Sequence, residues 1–139
     1  MKREGLVIEK KEYVLLKRYI NLSNFYKDET LRNVFKHLSN AFESALVCSE
    51  NQMPKNSVRL NSIVTIVSSD GITETFQLVL PSKMTSDKTK MALFSPKGIA
   101  IIGRKQGDIV ELVLANKKLR YSIAKVKQEN KNISLDMVI

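Results

Sequence analysis

Few side chains in this 139-residue chain are of a type and spacing that could do chemistry. Asp28 and Glu29 stand side by side, and two carboxylates can offer oxygen ligands to a hard cation such as Mg²⁺, which in turn activates water. The same two residues also suit the start of a helix, with Asp28 as the cap and Glu29 beside the positive end of the helix dipole. His37 is the one histidine and Cys48 the one cysteine. No internal disulfide can form, and a cysteine-based zinc site is excluded. On a helix the neighbours of His37 are Asn33, Asn40 and Ala41, which make no metal cluster with it. A Ser-His-Asp set would have to reach back to His37, and no G-x-S-x-G turn is present. Gly98, Gly103 and Gly107 fit neither of the glycine-rich phosphate loops. No catalytic residue, metal site or cofactor is expected.

A second stretch, Ser95 to Leu112, organises the rest. Pro96 suits a first helical turn, where its missing N–H has no partner to lose, and Ile99, Ile101 and Ile102 supply an apolar face. Gly103 and Gly107 can take the positive φ needed to leave the helix and turn, and Ile109 to Leu114 is a β-branched run of strand length. The stretch reads as helix, turn, strand. The spacing of Gly98 and Gly107 places both where the chain must turn or pack closely.

The elements that would position these residues divide at about residue 50. From Glu9 to Ser23 the apolar positions Tyr13, Leu16 and Ile20 have helical spacing. Asn24 to Lys27 makes a turn, and Leu31, Val34, Leu38, Ala41, Ala45 and Cys48 then alternate spacings of three and four, a heptad seam. Two helices joined so closely run antiparallel, so residues 1–50 are expected to form a helical hairpin, a short coiled coil with Asp28 and Glu29 at its tip. Phe35 and Phe42 flank the seam and are read as packing residues. Ser49 to Asn56 is the connector. Residues 51–139 form the second unit: strands over Val58–Val67 and Ile72–Leu80 joined by an Asp70-Gly71 turn, a short strand Met91–Phe94, the Ser95 helix, and a last hairpin through Asn116. Ile72, Phe76, Leu78 and Leu80 are expected on the buried face. The class is α+β, a helical hairpin followed by a mostly antiparallel sheet with one short helix.

The net charge of +9 is unevenly spread. Residues 1–50 carry nine Lys+Arg against seven Asp+Glu, whereas residues 51–139 carry 14 against 7. Such a field attracts acidic partners without specifying them. The apolar runs reach about six residues, far short of the roughly 20 that cross a bilayer, and no signal-peptide core follows the first charges. A cytoplasmic protein with no membrane contact is expected.

Ser95-Pro96-x-Gly98 followed by Gly103-Arg-Lys-x-Gly107-Asp108 resembles the signature of the GreA/GreB C-terminal domain. Leu78-Val-Leu-Pro-Ser-Lys-Met84 and Cys48-Ser-x-x-x-Met-Pro54 are similar to its regulator of nucleoside diphosphate kinase (Rnk) branch. The resemblance covers most of residues 45–127. It implies an FKBP-like sheet domain and bacterial RNA polymerase as partner, with Ser95, Pro96, Lys97 and Gly98 as docking candidates; a monomer is expected. It also implies an acidic pair at a hairpin tip that helps hold a metal ion at the polymerase centre. This chain departs there, because the Gre acids are separated by two intervening residues whereas Asp28 and Glu29 are adjacent. The expected function is a non-enzymatic regulator at the secondary-channel entrance that does not stimulate transcript cleavage. The alternatives are a true cleavage factor using Asp28 and Glu29, or an FKBP-like prolyl isomerase, for which Phe76, Phe94 and Tyr121 are a poor aromatic supply. A weak contact with DNA or RNA through the basic half is the third reading.

Overall fold

Lys117–Lys127 is an eleven-residue strand about which the main sheet is built. The computed structural model describes residues 6–22, 36, 39–40, 43–114 and 116–129. The strands are β1 (Val7–Glu9), β2 (Leu46–Cys48), β3 (Ile63–Ser68), β4 (Thr73–Val79), β5 (Lys90–Ala92), β6 (Ile109–Leu114) and β7 (Lys117–Lys127). The described α-helices with defined bounds are α1 (Lys10–Leu22) and α2 (Pro96–Ile101). The main sheet has the order β5-β4-β3-β7-β6. Two tight hairpins set its register. Gly71 takes φ +84° in the β3–β4 turn, and Asn116 takes φ +64° where β6 turns into β7, a conformation that glycine and asparagine reach at least cost. Ala124 is the extra residue of a bulge, since Thr65 pairs with Lys125 and Ile66 with Ile123. The alternation seen along β4 holds for Phe76 and Leu78, which are buried, but Ile72 lies outside the strand and is exposed.

The sheet is mixed. β5 runs parallel to β4, with Gln77 opposite Lys90 and Val79 opposite Ala92. The connection passes through a 3₁₀ turn at Pro81–Lys83. A further difference lies at 58–62, expected as strand. Asn61 takes φ +72°, and Ser62 N–H donates to Arg59 O at 3.0 Å, so the chain turns there while Val58 and Leu60 stay buried.

The N-terminal unit is not the expected architecture. Among the described residues there is no helical hairpin and no coiled coil, and nothing identifies the sheet as FKBP-like. Leu46-Val47-Cys48, which continue the heptad seam in sequence, are a strand paired parallel to β1, with Val7 opposite Leu46 and Glu9 opposite Cys48. The reason is a long-range ladder that periodicity does not register: Leu46 N–H donates to Leu6 O at 2.9 Å, and Val7 N–H donates to Gly103 O at 3.1 Å. β1 leads directly into α1, and Ile8, Leu15 and Leu16 join Val58, Leu60, Leu78 and Ile99 in one hydrophobic core. Lys36, Ser39 and Asn40 have helical backbone. Asp28, Glu29, Phe35, His37 and Phe42 lie outside the described residues.

α2 is fixed by its first four residues. Ser95 Oγ accepts from Gly98 N–H at 3.1 Å and donates to Ala92 O at 2.7 Å, which caps the helix and ties it to β5. Pro96 occupies the first turn. Gly98 does not adopt positive φ; its requirement is space, because an added Cβ would lie 2.5 Å from Ala92 O and 2.6 Å from Leu93 O. Gly107 is the converse case, with φ +97° and open surroundings.

One buried cation joins α1 to the second half of the chain. Arg59 Nε donates to Glu12 Oε2 at 2.8 Å, and Leu60 N–H donates to Glu12 Oε1 at 2.8 Å. Both side chains of the Arg59–Glu12 pair are almost fully buried. Arg59 Nη2 donates to Glu50 Oε1 at 2.9 Å, its Nη1 also contacts Glu50, and Glu9 Oε1 stands 4.0 Å away. Glu9 also accepts from the Glu12 N–H at 3.2 Å in the first turn of α1. Burial pushes the Glu12 carboxyl up to about 7, against the opposing pull of Arg59 and the Leu60 N–H. Glu50 is held low by its hydrogen bonds from Arg59.

Three outcomes follow from this packing. Arg59→Met leaves a buried carboxylate without its cation and should cost about 3–5 kcal/mol of stability, measurable by urea denaturation; a loss below about 1 kcal/mol would mean that the pair is not a structural tie. Glu12 has a raised folded pKa, so its contribution is fully present below its ordinary value of 4.5 and is lost as pH rises through about 7. Stability should therefore fall across that interval in the parent chain, and Glu12→Gln should flatten that segment of the curve. Finally, Gly98→Val should lower the melting temperature more than Gly107→Val, since the backbone carbonyls facing Gly98 have no room to yield whereas Gly107 pays only about 1–3 kcal/mol of backbone strain. Equal melting temperatures for both variants and the parent would refute these roles.

Candidate functional site

The four residues Ser95, Pro96, Lys97 and Gly98 lie together at the start of α2. Ser95 and Gly98 are used internally, as cap and close-packing residue. Lys97 has the side chain with reach. Its Nζ lies 2.6 Å from Glu74 Oε1 on β4, and 5.5 Å from the ring centroid of Tyr121 on β7, within cation–π range. Burial works against its charge, but the Glu74 carboxylate outweighs that effect and holds the ammonium above the usual lysine range. The Lys97 side chain is about a quarter exposed (27%). It is thus a positioned charge at the surface, held by two strands and available to an acidic partner that competes with Glu74.

The aromatic residues of the second half do not build a peptide pocket. Phe76, Phe94 and Tyr121 are all buried in the hydrophobic core. Among the described residues no group of three or more His, Cys, Asp or Glu could hold a metal ion. No described helix is long and apolar enough to cross a membrane. Cys48 is half-buried in β2.

Sequence reasoning missed two cations. Arg59 sits between the apolar Val58 and Leu60, and its partner Glu12 lies on the same helical face as Leu15 and Leu16, so a charge at an apolar position was the available signal. Arg104, in the Gly103-Arg-Lys stretch, is also buried, with its Nε lacking a hydrogen-bond partner. Burial lowers its pKa, and Asp108 offsets this only in part. Its backbone carries structure: Val58 N–H donates to Arg104 O at 2.7 Å, and Arg104 N–H donates to Ile101 O at 3.0 Å.

Comparison with known proteins places this geometry in a family. Residues 53–128 match the model of the C-terminal domain of the transcription elongation factors GreA/GreB. The regulator of nucleoside diphosphate kinase of Escherichia coli (strain K12) is 35% identical over 74 residues, covering 52% of this chain and 54% of the relative. The transcription elongation factor GreA of Clostridium botulinum (strain Hall) is 29% identical over 92 residues, covering 66% of this chain and 58% of the relative. The chain spans about half the length of the curated relatives it matches. The solved structure of a prokaryotic transcription elongation factor GreA/GreB from Nitrosomonas europaea superposes with a TM-score of 0.71 at 21% identity, covering 91% of this chain and 100% of that one, so the fold is shared. With its matched segment spanning β3 to β7 and containing the capped Ser95 helix, this chain belongs to the GreA/GreB transcription elongation factor family.

Proposed function

We propose that this chain is a transcription regulator that binds bacterial RNA polymerase at the secondary-channel entrance and does not stimulate transcript cleavage. The observation that carries the reading is the family match over residues 53–128, which contains the Ser95-Pro96-Lys97-Gly98 helix start. Similarity to a protein named as a regulator supports the regulatory half of the reading. The docking surface is assigned to the second unit, residues 51–139, with Ser95, Pro96, Lys97 and Gly98 at its centre. In this division Lys97 contacts the partner, while Ser95, Pro96 and Gly98 hold its backbone in place. The chain itself is not an enzyme, acts as a monomer and works in the cytoplasm.

The case against cleavage is chemical. A pair of carboxylates that is to share a cation with the polymerase needs both oxygens directed at one point, and resemblance to Gre factors implies acids separated by two intervening residues. Asp28 and Glu29 are adjacent. Competition for the entrance then accounts for regulation without chemistry.

Two measurements decide between the readings. Lys97→Glu should weaken retention on core RNA polymerase by about tenfold or more, with the melting temperature monitored because the change also breaks the Glu74 pair; undiminished binding by the folded variant would remove Lys97 from the docking surface. With a backtracked elongation complex, the parent chain should leave the transcript uncut while displacing a Gre factor. Robust cleavage that vanishes in the Asp28→Ala, Glu29→Ala double variant would instead make this a true cleavage factor.

A further inference from the structure

The main sheet has two faces, and α1 and α2 both bury their apolar residues on the side where Val64, Ile66, Phe76, Leu78 and Ile123 meet the core. The opposite face can be read row by row from the strand register. One row runs Lys90, Gln77, Ile63, Lys127, and the next runs Thr75, Thr65, Lys125. Farther along β7, Ser122 lies opposite Ile109, Arg120 opposite Glu111, and Lys118 opposite Val113.

The charge on this face is one-sided. Lys118, Arg120, Lys125 and Lys127 follow one another along β7, and Lys90 stands at the far edge on β5. Glu111 is the carboxylate within these rows, and it is already engaged, with Oε2 3.5 Å from Lys118 Nζ. Asp70 and Glu129 lie beyond the two ends of the rows, the latter 3.2 Å from Lys127 Nζ. Beside this basic band are apolar side chains that water should not face: Ile109 is 57% exposed and Val113 54%. Both lie on β6, the terminal strand of the sheet, whose sequence contains none of the Lys or Pro residues that usually blunt a sheet edge.

We propose that this open face, centred on β6 and β7, docks an extended acidic segment of a partner protein in which carboxylates and apolar side chains alternate at every second residue, so that both project from one side of the segment. The cations supply charge complementarity, and Ile109 and Val113 supply the apolar contact that gives an interface its core. Spacing supports the match. Outward residues on a strand recur about every 6.6 Å, twice the rise per residue, and an extended peptide repeats its own side chains at the same interval. A single-stranded nucleic acid fits less well, because no aromatic residue stands in these rows to stack a base, and a phosphate backbone leaves Ile109 and Val113 uncovered. A second copy of this chain also fits poorly, since two such basic faces repel. The surface lies across the sheet from α2, so its contacts are separate from those of Lys97.

The test uses the full chain, labelled with ¹⁵N, and a synthetic peptide of about 12 residues built on an Asp-Ser-Val-Ser repeat, which sets Asp and Val on one side of an extended chain and spans the band. Addition of the peptide should shift the amide resonances of Ile109, Val113, Lys118 and Lys125. Affinity should drop about tenfold or more between low and high salt. The exposed pair Arg120→Gln, Lys125→Gln should reduce binding about tenfold or more while leaving the melting temperature unchanged, and the same peptide with Lys in place of Asp should not bind. Absence of shifts on this face at millimolar peptide, shifts confined to the α2 side, or a double variant that binds as well as the parent would overturn the proposal. So would tighter binding of oligo-dT or of anionic lipid vesicles to the same residues, or a concentration-dependent dimer that protects them.

Discussion

A guanidinium that cannot lose its proton has been placed where water is nearly absent, and the rest of the molecule is arranged so that it is never without acceptors. Arg59 reaches Glu12 on α1 and Glu50 in the 3₁₀ turn Glu50–Gln52, while its own backbone closes the turn with Ser62. Isolated, either Arg59 or Glu12 would carry a desolvation cost of several kcal/mol. Together they tolerate one another's burial only in one geometry, which is what makes the pair a constraint on position more than a source of stability. The constraint runs outward. Once Glu12 is held, α1 must lay Leu15 and Leu16 into the core, and β1 must lie where Val7 can donate to Gly103. An added Cβ at Gly103 would meet the Leu6 side chain at 2.9 Å, so the turn after α2 is itself shaped by the N-terminal strand.

What could be read from the sequence is what depends on near neighbours. Ser95, Pro96 and Gly98 form a cap, a first turn and a close approach within four positions, and the observed α2 follows them. Asp70-Gly71 and Asn116 mark turns through their own backbone preferences. The β4 alternation is visible because its buried side chains recur every second residue, although Ile72 falls outside it because the strand begins one residue later. Family membership was likewise carried by short local elements.

What could not be read depends on partners far away in the chain. Leu46, Val47 and Cys48 continue a heptad spacing that is compatible with a helix, and the decision for a strand comes from Leu6 and Val7, about forty positions earlier. β5 looks like any short apolar run until its parallel pairing with β4 is seen. Glu12 and Arg59 each stand at an apolar position, which marks them singly, but that they pair, 47 positions apart, is visible only in the fold. Of the candidate site, Lys97 was legible as a residue in a recognisable stretch, but its hold by Glu74 and Tyr121 was not, because those strands meet it only in the folded state.

That hold bears on how a partner would be recognised. A lysine free in solvent surrenders side-chain entropy on binding, whereas Lys97 has surrendered much of it in folding, against Glu74 and over Tyr121. An acidic group that approaches α2 meets an ammonium already in position and must outcompete a single half-exposed carboxylate. The exchange of one ion pair for another is close to neutral in charge, so the discrimination comes from geometry: the incoming acid has to fit against the backbone fixed by Ser95 and Gly98. The packing that forbids a side chain at Gly98 seats α2 against the Ala92 and Leu93 carbonyls and so fixes the backbone that carries Lys97, and stability and recognition would draw on one set of residues.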